Sequence, residues 1–343
     1  MSAQDFSGGL GPEQDLFFAQ PPSFDWLREG TSFWLFEDGG EFGIPRNGVE
    51  AEPHAWESRR YQANLAFADG RVLLDSGVGA MRSPLDGAGR PTILGAGPLT
   101  FQCLEPFRRW RVAFDGTCVD STVAAQIART VDDSRRVPLR YEFELTMAVP
   151  AFLQDVSPAR FQTMGKGVRR DALSVGLGMR FEQLFRGEGE LVIDGERRTA
   201  RVSGMRVKRK SVRTDGLFLR GHCWQTAVFP DGRAFGYLAY PPHADDFEAW
   251  NDGFIWQDGR MYPAKAVKIP WLERAVAADD DVGLELESDL GTTRIEGRTT
   301  LSTFRLSNPD IWGLNLQQTG VRYVWDGQQA FGMLERSMPT LGG

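Results

Sequence analysis

The sequence predicts an all-β chain built mostly of antiparallel hairpins, with few short helices. Two observations carry that prediction. First, Asp-Gly separates short apolar and aromatic runs in LAFADGRVLL, RVAFDGTCV, ELVIDGERRTARV, AVFPDGRAFGYLAY, FIWQDGRMYPAKAV and VRYVWDGQQAFGML. Asp-Gly suits the positive φ angles of tight hairpin turns, and the flanks here are β-branched and aromatic. Second, YEFELTMAV and LELESDL alternate apolar and polar residues at period two, as half-buried strands do.

In chain order, residues 1–20 read as a loose N-terminal arm. A first β-rich domain spans 21–165 and a second spans 166–343. The stretch VSPARFQTMGKGVRRDALSVGLG between them reads as an irregular, basic connector. Helical signals are sparse. STVAAQIARTVDD (residues 121–133) reads as a short helix or a strand, and PHADDFEAWNDG as holding a helical turn. No short-period repeat is present.

At 343 residues, with 41% hydrophobic and 11% aromatic content, the chain can bury one large or two medium cores. A net charge of -7 argues against a general nucleic-acid binder, which needs a broad basic face. Cys103, Cys118 and Cys223 are widely spaced and form no CxxC pair. The three histidines, His54, His222 and His243, make no HxH or HxxxH pair, so no metal site is expected. GVGAMRSPLDGAG is glycine-rich but lacks the strand–GxGxxG–helix context, and neither a P-loop nor a GxSxG elbow appears. No cofactor is therefore expected. The opening MSAQDFSGGLGPEQD has no basic and apolar signal pattern, and no run of about 18 apolar residues occurs. The expectation is a reduced, soluble, cytoplasmic protein with no membrane span and no nucleic-acid partner.

Against that acidic background, GMRVKRKSVR gathers Arg206, Lys208, Arg209, Lys210 and Arg213. As a strand it puts Arg206, Lys208 and Lys210 on one face and Val207, Arg209 and Ser211 on the other. A lysine facing an apolar cavity loses hydration and its pKa falls, which suits a general base or Schiff-base nucleophile. The same cations could instead hold a phenolate, carboxylate or phosphate, or lysines could blunt a solvated outer edge. The next strand, LRGHCWQTAVF, puts His222 and Trp224 on one face and Cys223 on the other. Paired as a hairpin across the TDG turn, it would bring His222 beside Arg206 or Lys208 as a proton shuttle. Glu182 and Glu335 are candidate acids. A carboxyl inside a barrel has a raised pKa, and the alternative for each is a salt bridge to an arginine such as Arg180 or Arg206. Tyr323 is a core or ligand-stacking aromatic. The candidate catalytic set is thus Lys208, Lys210, His222 and Glu182. The candidate ligand-binding set is Arg206, Arg213, Trp224, Tyr323 and Glu335.

Several stretches, taken in order, point to one family. FDWLREGTSFWLFEDGGEFGIPRNGVEAEP is followed by FADGRVLL and by GPLTFQCLEPFRRWRVAFDGT, which holds Glu105, Pro106, Trp110 and Gly116. The second half opens with MRFEQLFRGEGELVIDGERRTARVSGMR and ends with YVWDGQQAFGMLE. Over roughly residues 20–338 this order resembles the two-domain lipocalin-like proteins grouped with carotenoid hydratase (hydroxyneurosporene synthase) and related terpenoid enzymes. The resemblance implies two tandem lipocalin-like antiparallel β-barrels, with an apolar ligand cavity at or between them. The family's His-Tyr-Glu-Gln corresponds to Arg180, Phe181, Glu182 and Gln183. In its Gly-x-Arg-Asp-His-Ser-Trp-Gly-x-Arg, Gly204, Arg206 and Arg213 match, and Val207 to Ser211 replace the centre. Both family histidines are absent at the matching places. The function implied is a cofactor-independent lyase, hydratase or isomerase working by acid–base chemistry on an isoprenoid, steroid or plant-derived aromatic. Non-catalytic carriage of a hydrophobic metabolite is the alternative, and the aromatic edge hairpins are compatible with a homodimer.

Overall fold

Hairpin chemistry sets the topology. In the computed structural model, which describes residues 4–212, 220–245, 247–307 and 314–339, Asp194-Gly195, Asp258-Gly259 and Asp326-Gly327 all have positive φ at both positions. That is the requirement of a two-residue turn whose twist matches its strands. Asp69-Gly70 and Asp231-Gly232 also close hairpins, with positive φ at the glycine. Asp115-Gly116 is the exception, because it lies inside a strand. It sits where that strand leaves one neighbour and takes up another, and a Cβ on Gly116 would meet the Phe114 ring and Pro98 at 3.0 Å.

The first sheet has eleven strands: β1 (Leu27–Glu37), β2 (Phe42–Ala51), β3 (Ser58–Phe67), β4 (Arg71–Ala80), β5 (Ile93–Ala96), β6 (Leu99–Glu105), β7 (Arg109–Thr122), β8 (Arg136–Met147), β9 (Phe152–Val156), β10 (Leu177–Ile193) and β11 (Glu196–Val212). Its order is β4-β3-β2-β1-β11-β10-β8-β7-β6-β5, with β9 on β10, and β4 also pairs with the far end of β7, so the path returns on itself. The second sheet is a closed eight-stranded barrel: β12 (His222–Val228), β13 (Ala234–Ala239), β14 (Asn251–Gln257), β15 (Arg260–Lys268), β16 (Leu284–Ser288), β17 (Gly291–Arg305), β18 (Asn315–Trp325) and β19 (Gln328–Met338). Among the described residues three short α-helices, α1 (Val123–Ala128), α2 (Pro158–Thr163) and α3 (Lys166–Val175), and two single-turn 3-10 helices at Pro12–Gln14 and Pro53–Ala55 complete the elements. None is long and apolar enough to cross a membrane.

Four local expectations change. The basic connector is helical, as α2 and α3; Ser157 caps α2 ahead of Pro158 at its first position, a legible start signal. PHADDFEAWNDG holds a turn at Ala244–Asp245 and no helix among its described residues. Residues 121–133 are both readings in succession, strand to Thr122 and then α1, with the Thr122 hydroxyl accepting from the Ala125 amide. Finally, the long β10–β11 hairpin pairs with β8 on one side and β1 on the other. The sheets therefore divide between Val212 and His222, beyond the expected boundary at 165/166.

The strand alternation sorts most buried side chains into three large clusters, with a small fourth of Phe107, Ala151 and Phe181. Phe33, Phe101, Trp110, Tyr141 and Phe143 fill the first sheet's interior. Phe235, Tyr237, Tyr323 and Trp325 fill the second barrel. Trp34, Phe36, Trp224, Phe254 and Met333 form the seam between the two. Close approach within the first sheet depends on Gly204, where a Cβ would lie 1.9 Å from the Trp34 carbonyl oxygen of β1. Gly204→Ala must push backbone apart, and a loss of about 1–3 kcal/mol is expected, read as a lower denaturant midpoint at unchanged slope.

Candidate functional site

The basic strand is β11, and its even-numbered residues point into the first sheet's interior. There the N-terminal arm meets them, so the arm is packed in rather than loose. Arg206 is fully buried and donates to both oxygens of Asp15, at 2.6 and 3.0 Å, and to Gln183 Oε1 at 2.6 Å. Asp15 also accepts from the Phe107 amide and the Trp110 indole. Lys208, likewise fully buried, donates to Glu29 Oε1 at 2.9 Å, and the Phe17 ring covers its ammonium at 3.6 Å. Lys210 donates to the Glu13 carbonyl and lies over Phe18. Burial pulls the Lys208 pKa down to about 8, with Lys210 adding to the fall and Glu29 opposing it. The fall follows the desolvation anticipated for a buried lysine, but Arg206 is paired with Asp15, Lys208 with Glu29, and Lys210 donates to the arm. The structure therefore gives Arg206, Lys208 and Lys210 a structural setting. Gly204, Gln183 and Arg206, the positions shared with the family pattern, hold the first sheet together in this chain.

The other candidates gather elsewhere. In an antiparallel sheet directly opposed residues share a face. On the second barrel, the register aligns His222 with Ser337, Ser337 with Leu316 and Leu316 with Arg305. One step along, Asp252, Leu238, Trp224, Glu335 and Gln318 form a parallel row. Both rows look out of the barrel toward the first sheet. His222 is thus paired with β19, and β11 and β12 lie in different sheets, so they do not form the hairpin the sequence suggested. Arg213 and the TDG turn lie outside the described residues. Tyr323 is buried in the second barrel's interior, accepting from Gln225 and donating to the Met333 carbonyl.

His222 has both ring nitrogens engaged. Nδ1 lies 2.7 Å from the Ser337 hydroxyl and Nε2 lies 3.3 Å from Glu335 Oε1. The neutral tautomer with Nε2–H satisfies both contacts, donating to the carboxylate and accepting from the hydroxyl. Arg46 donates to Glu335 Oε2 at 3.1 Å and Gln318 at 2.6 Å. Burial would raise the Glu335 pKa, yet Arg46, His222 and Gln318 hold it far below the usual carboxylate range. The raised pKa expected of this glutamate is thus reversed, and Glu335 is an acceptor facing any imidazolium that forms. Glu182 is buried in a pair with Arg180 at 2.7 Å, and its other oxygen accepts from the Trp224 indole at 3.0 Å. The Arg180 guanidinium lies over the Trp224 ring and Trp34 meets that ring edge-on, so Glu182 and Arg180 position Trp224.

These groups wall a cavity of about 160 Å³ in the seam, closed on one side by Arg46, Arg180, Arg209 and Arg305 and on another by Trp224 and Tyr240. It lies between the two sheets, one of the expected places, but much of its wall is cationic. A larger trough of about 1020 Å³ runs along β8, β10 and β11, bordered by Glu37, Asp38, Glu142, Glu144, Glu188 and Glu190. That trough is open and solvated, and it assembles no nucleophile or base with an orienting partner.

Sequence reasoning missed Arg46, Arg305, Ser337 and Asp252. Asp252 is largely buried on the same face as Trp224. Desolvation, with the Glu182 charge nearby, raises its pKa to about 6. A raised folded-state pKa means the folded chain holds a proton that the unfolded chain has lost between about 4 and 6, so stability falls as pH rises through that window. Asp252→Asn is expected to match the parent at pH 4 and to exceed it by about 1–2 kcal/mol at pH 8, measured by denaturant unfolding.

Solved structures share this architecture. A provisional AttH from Nitrosomonas europaea is 17% identical with a TM-score of 0.57, over 98% of this chain and 99% of that one. CghA is 10% identical with a TM-score of 0.56, over 93% and 90%. Kievitone hydratase from Nectria haematococca is 12% identical with a TM-score of 0.50, over 98% of both. The two-barrel, lipocalin-like fold implied by the resemblance is the fold these proteins share. No curated protein sequence matches the chain. One sequence family does match, over residues 21–340, and the chain belongs to it: the family described as a domain of unknown function, DUF7064.

Proposed function

We propose that the chain is a cofactor-independent, non-redox enzyme of the lyase, hydratase or isomerase type, and that its chemistry runs at the inter-barrel seam. The observation that carries this reading is His222, held by Ser337 on one nitrogen and by an ionised Glu335 on the other, at the wall of a cavity. An imidazole so oriented can take a proton from a substrate and return it, with Glu335 facing the charge that forms. Trp224, Tyr240 and Leu238 offer an apolar wall, and a cavity of about 160 Å³ suits the ring of a plant-derived aromatic better than a whole isoprenoid or steroid. The shared fold with a protein named a hydratase agrees with the reading without assigning a substrate.

Solvent extraction of the gently purified protein, followed by incubation of the extract with fresh protein, tests it. Conversion to a compound one water heavier, one water lighter or isomeric, with no added cofactor, is expected. A compound that is bound again and released unchanged supports the carrier reading instead.

A further inference from the structure

One arginine at the seam, Arg305, bears on what binds there. Arg180 is matched by Glu182 and Arg46 by Glu335. Arg209 lies 3.6 Å from Glu50, a carboxylate it shares with Arg28 at 3.9 Å. Arg305 makes no hydrogen bond or ion pair among the described residues; Glu335 acts on it only through space. Arg305 thus stands on this concavity beside the Glu335-paired Arg46 with no carboxylate of its own among the described residues. Partial desolvation and the neighbouring Arg46 charge lower the Arg305 pKa, and the Glu335 charge opposes the fall.

Geometry says where the missing anion goes. Arg305 is exposed at the cavity rim and shares its register row with Leu316, Ser337 and His222. Arg305 lines the same cavity as His222, Trp224 and Tyr240, so a ligand held there can meet a guanidinium, an imidazole and an apolar wall together. At about 30 Å³ per water, the cavity holds roughly five waters, the space of a small ring bearing a polar group. Guanidinium groups recognise carboxylate and phosphate through paired N–H donors and remain charged at all ordinary pH.

We infer that the cavity takes the oxyanion, carboxylate or phosphate, of an otherwise apolar ring compound, with Arg305 as its anchor. The inference deepens the reading above by naming the substrate's charged group. It assigns to the seam the anion recognition that the sequence suggested for Arg206, Lys208 and Lys210, whose charged groups are met by Asp15, Glu29 and the N-terminal arm.

Calorimetric titration of the full chain with benzoate, phenyl phosphate and uncharged benzamide tests it without turnover. At least one anion is expected to bind tenfold or more tighter than benzamide, and to weaken about tenfold in Arg305→Gln and in high salt. Whichever anion binds tighter identifies the group. Arg305 is exposed, so its replacement leaves the core intact, and an unchanged melting temperature checks this. Failure of both anions to bind, benzamide binding as tightly as either, or unchanged binding in Arg305→Gln overturns the inference. Anion binding by a protein that leaves its extracted compound unchanged upholds the inference and removes only the enzymatic reading.

Discussion

His222→Gln is expected to lower turnover by about 10²–10⁴-fold with little change in stability. Glutamine retains an amide donor for Glu335 but cannot carry a proton between substrate and solvent. The ring is only partly buried, so its loss opens no large cavity. If His222 moves the proton, kcat falls while KM changes little. Turnover within about twofold of the parent would show that the proton is moved by another group, and Asp252 would be the next to replace.

Lys208→Met is expected to destabilise the protein by about 3–5 kcal/mol, because it leaves Glu29 as a buried carboxylate without its ammonium. Pairing it with Glu29→Leu should recover most of that loss, since a buried pair replaced by apolar groups of similar volume is often neutral. The phenylalanines of the arm already supply the apolar surroundings: Phe17 covers Lys208, and the Phe18 amide is the other donor to Glu29. The double variant should also keep its turnover, because neither residue lines the seam cavity. A stable double variant that had lost activity would return the basic strand to the catalytic role its sequence suggested.

Fold was more legible than site, for physical reasons. A two-residue turn needs particular φ angles, so Asp-Gly announces itself locally, and period-two burial in YEFELTMAV follows from the pleat alone. The single Asp-Gly failure, at residues 115 and 116, came where a change of strand partner and not a chain reversal needed a small residue. The facing of β11 could not be read, because alternation gives two faces without saying which sheet lies on each. The deciding fact was Asp15, far away in sequence and inside an arm with no periodic signal. His222, Trp224 and Glu335 meet at the seam, and only part of that meeting was legible in the sequence. The first two share a face by local alternation, whereas their joining to Glu335 and Ser337 rests on closure of the second barrel between its first and last strands. Arg46 and Arg305 carried no sequence signal at all, since isolated arginines are ordinary surface residues until the register sets them around one space.

The central claim is that ligand binds in the seam and not inside either barrel. A crystal structure of the chain with its solvent-extracted compound tests this most directly. The account predicts the compound between Trp224, His222 and Arg305, with its charged group on Arg305. A compound found instead within the first sheet against Lys208, with the N-terminal arm displaced, would contradict it.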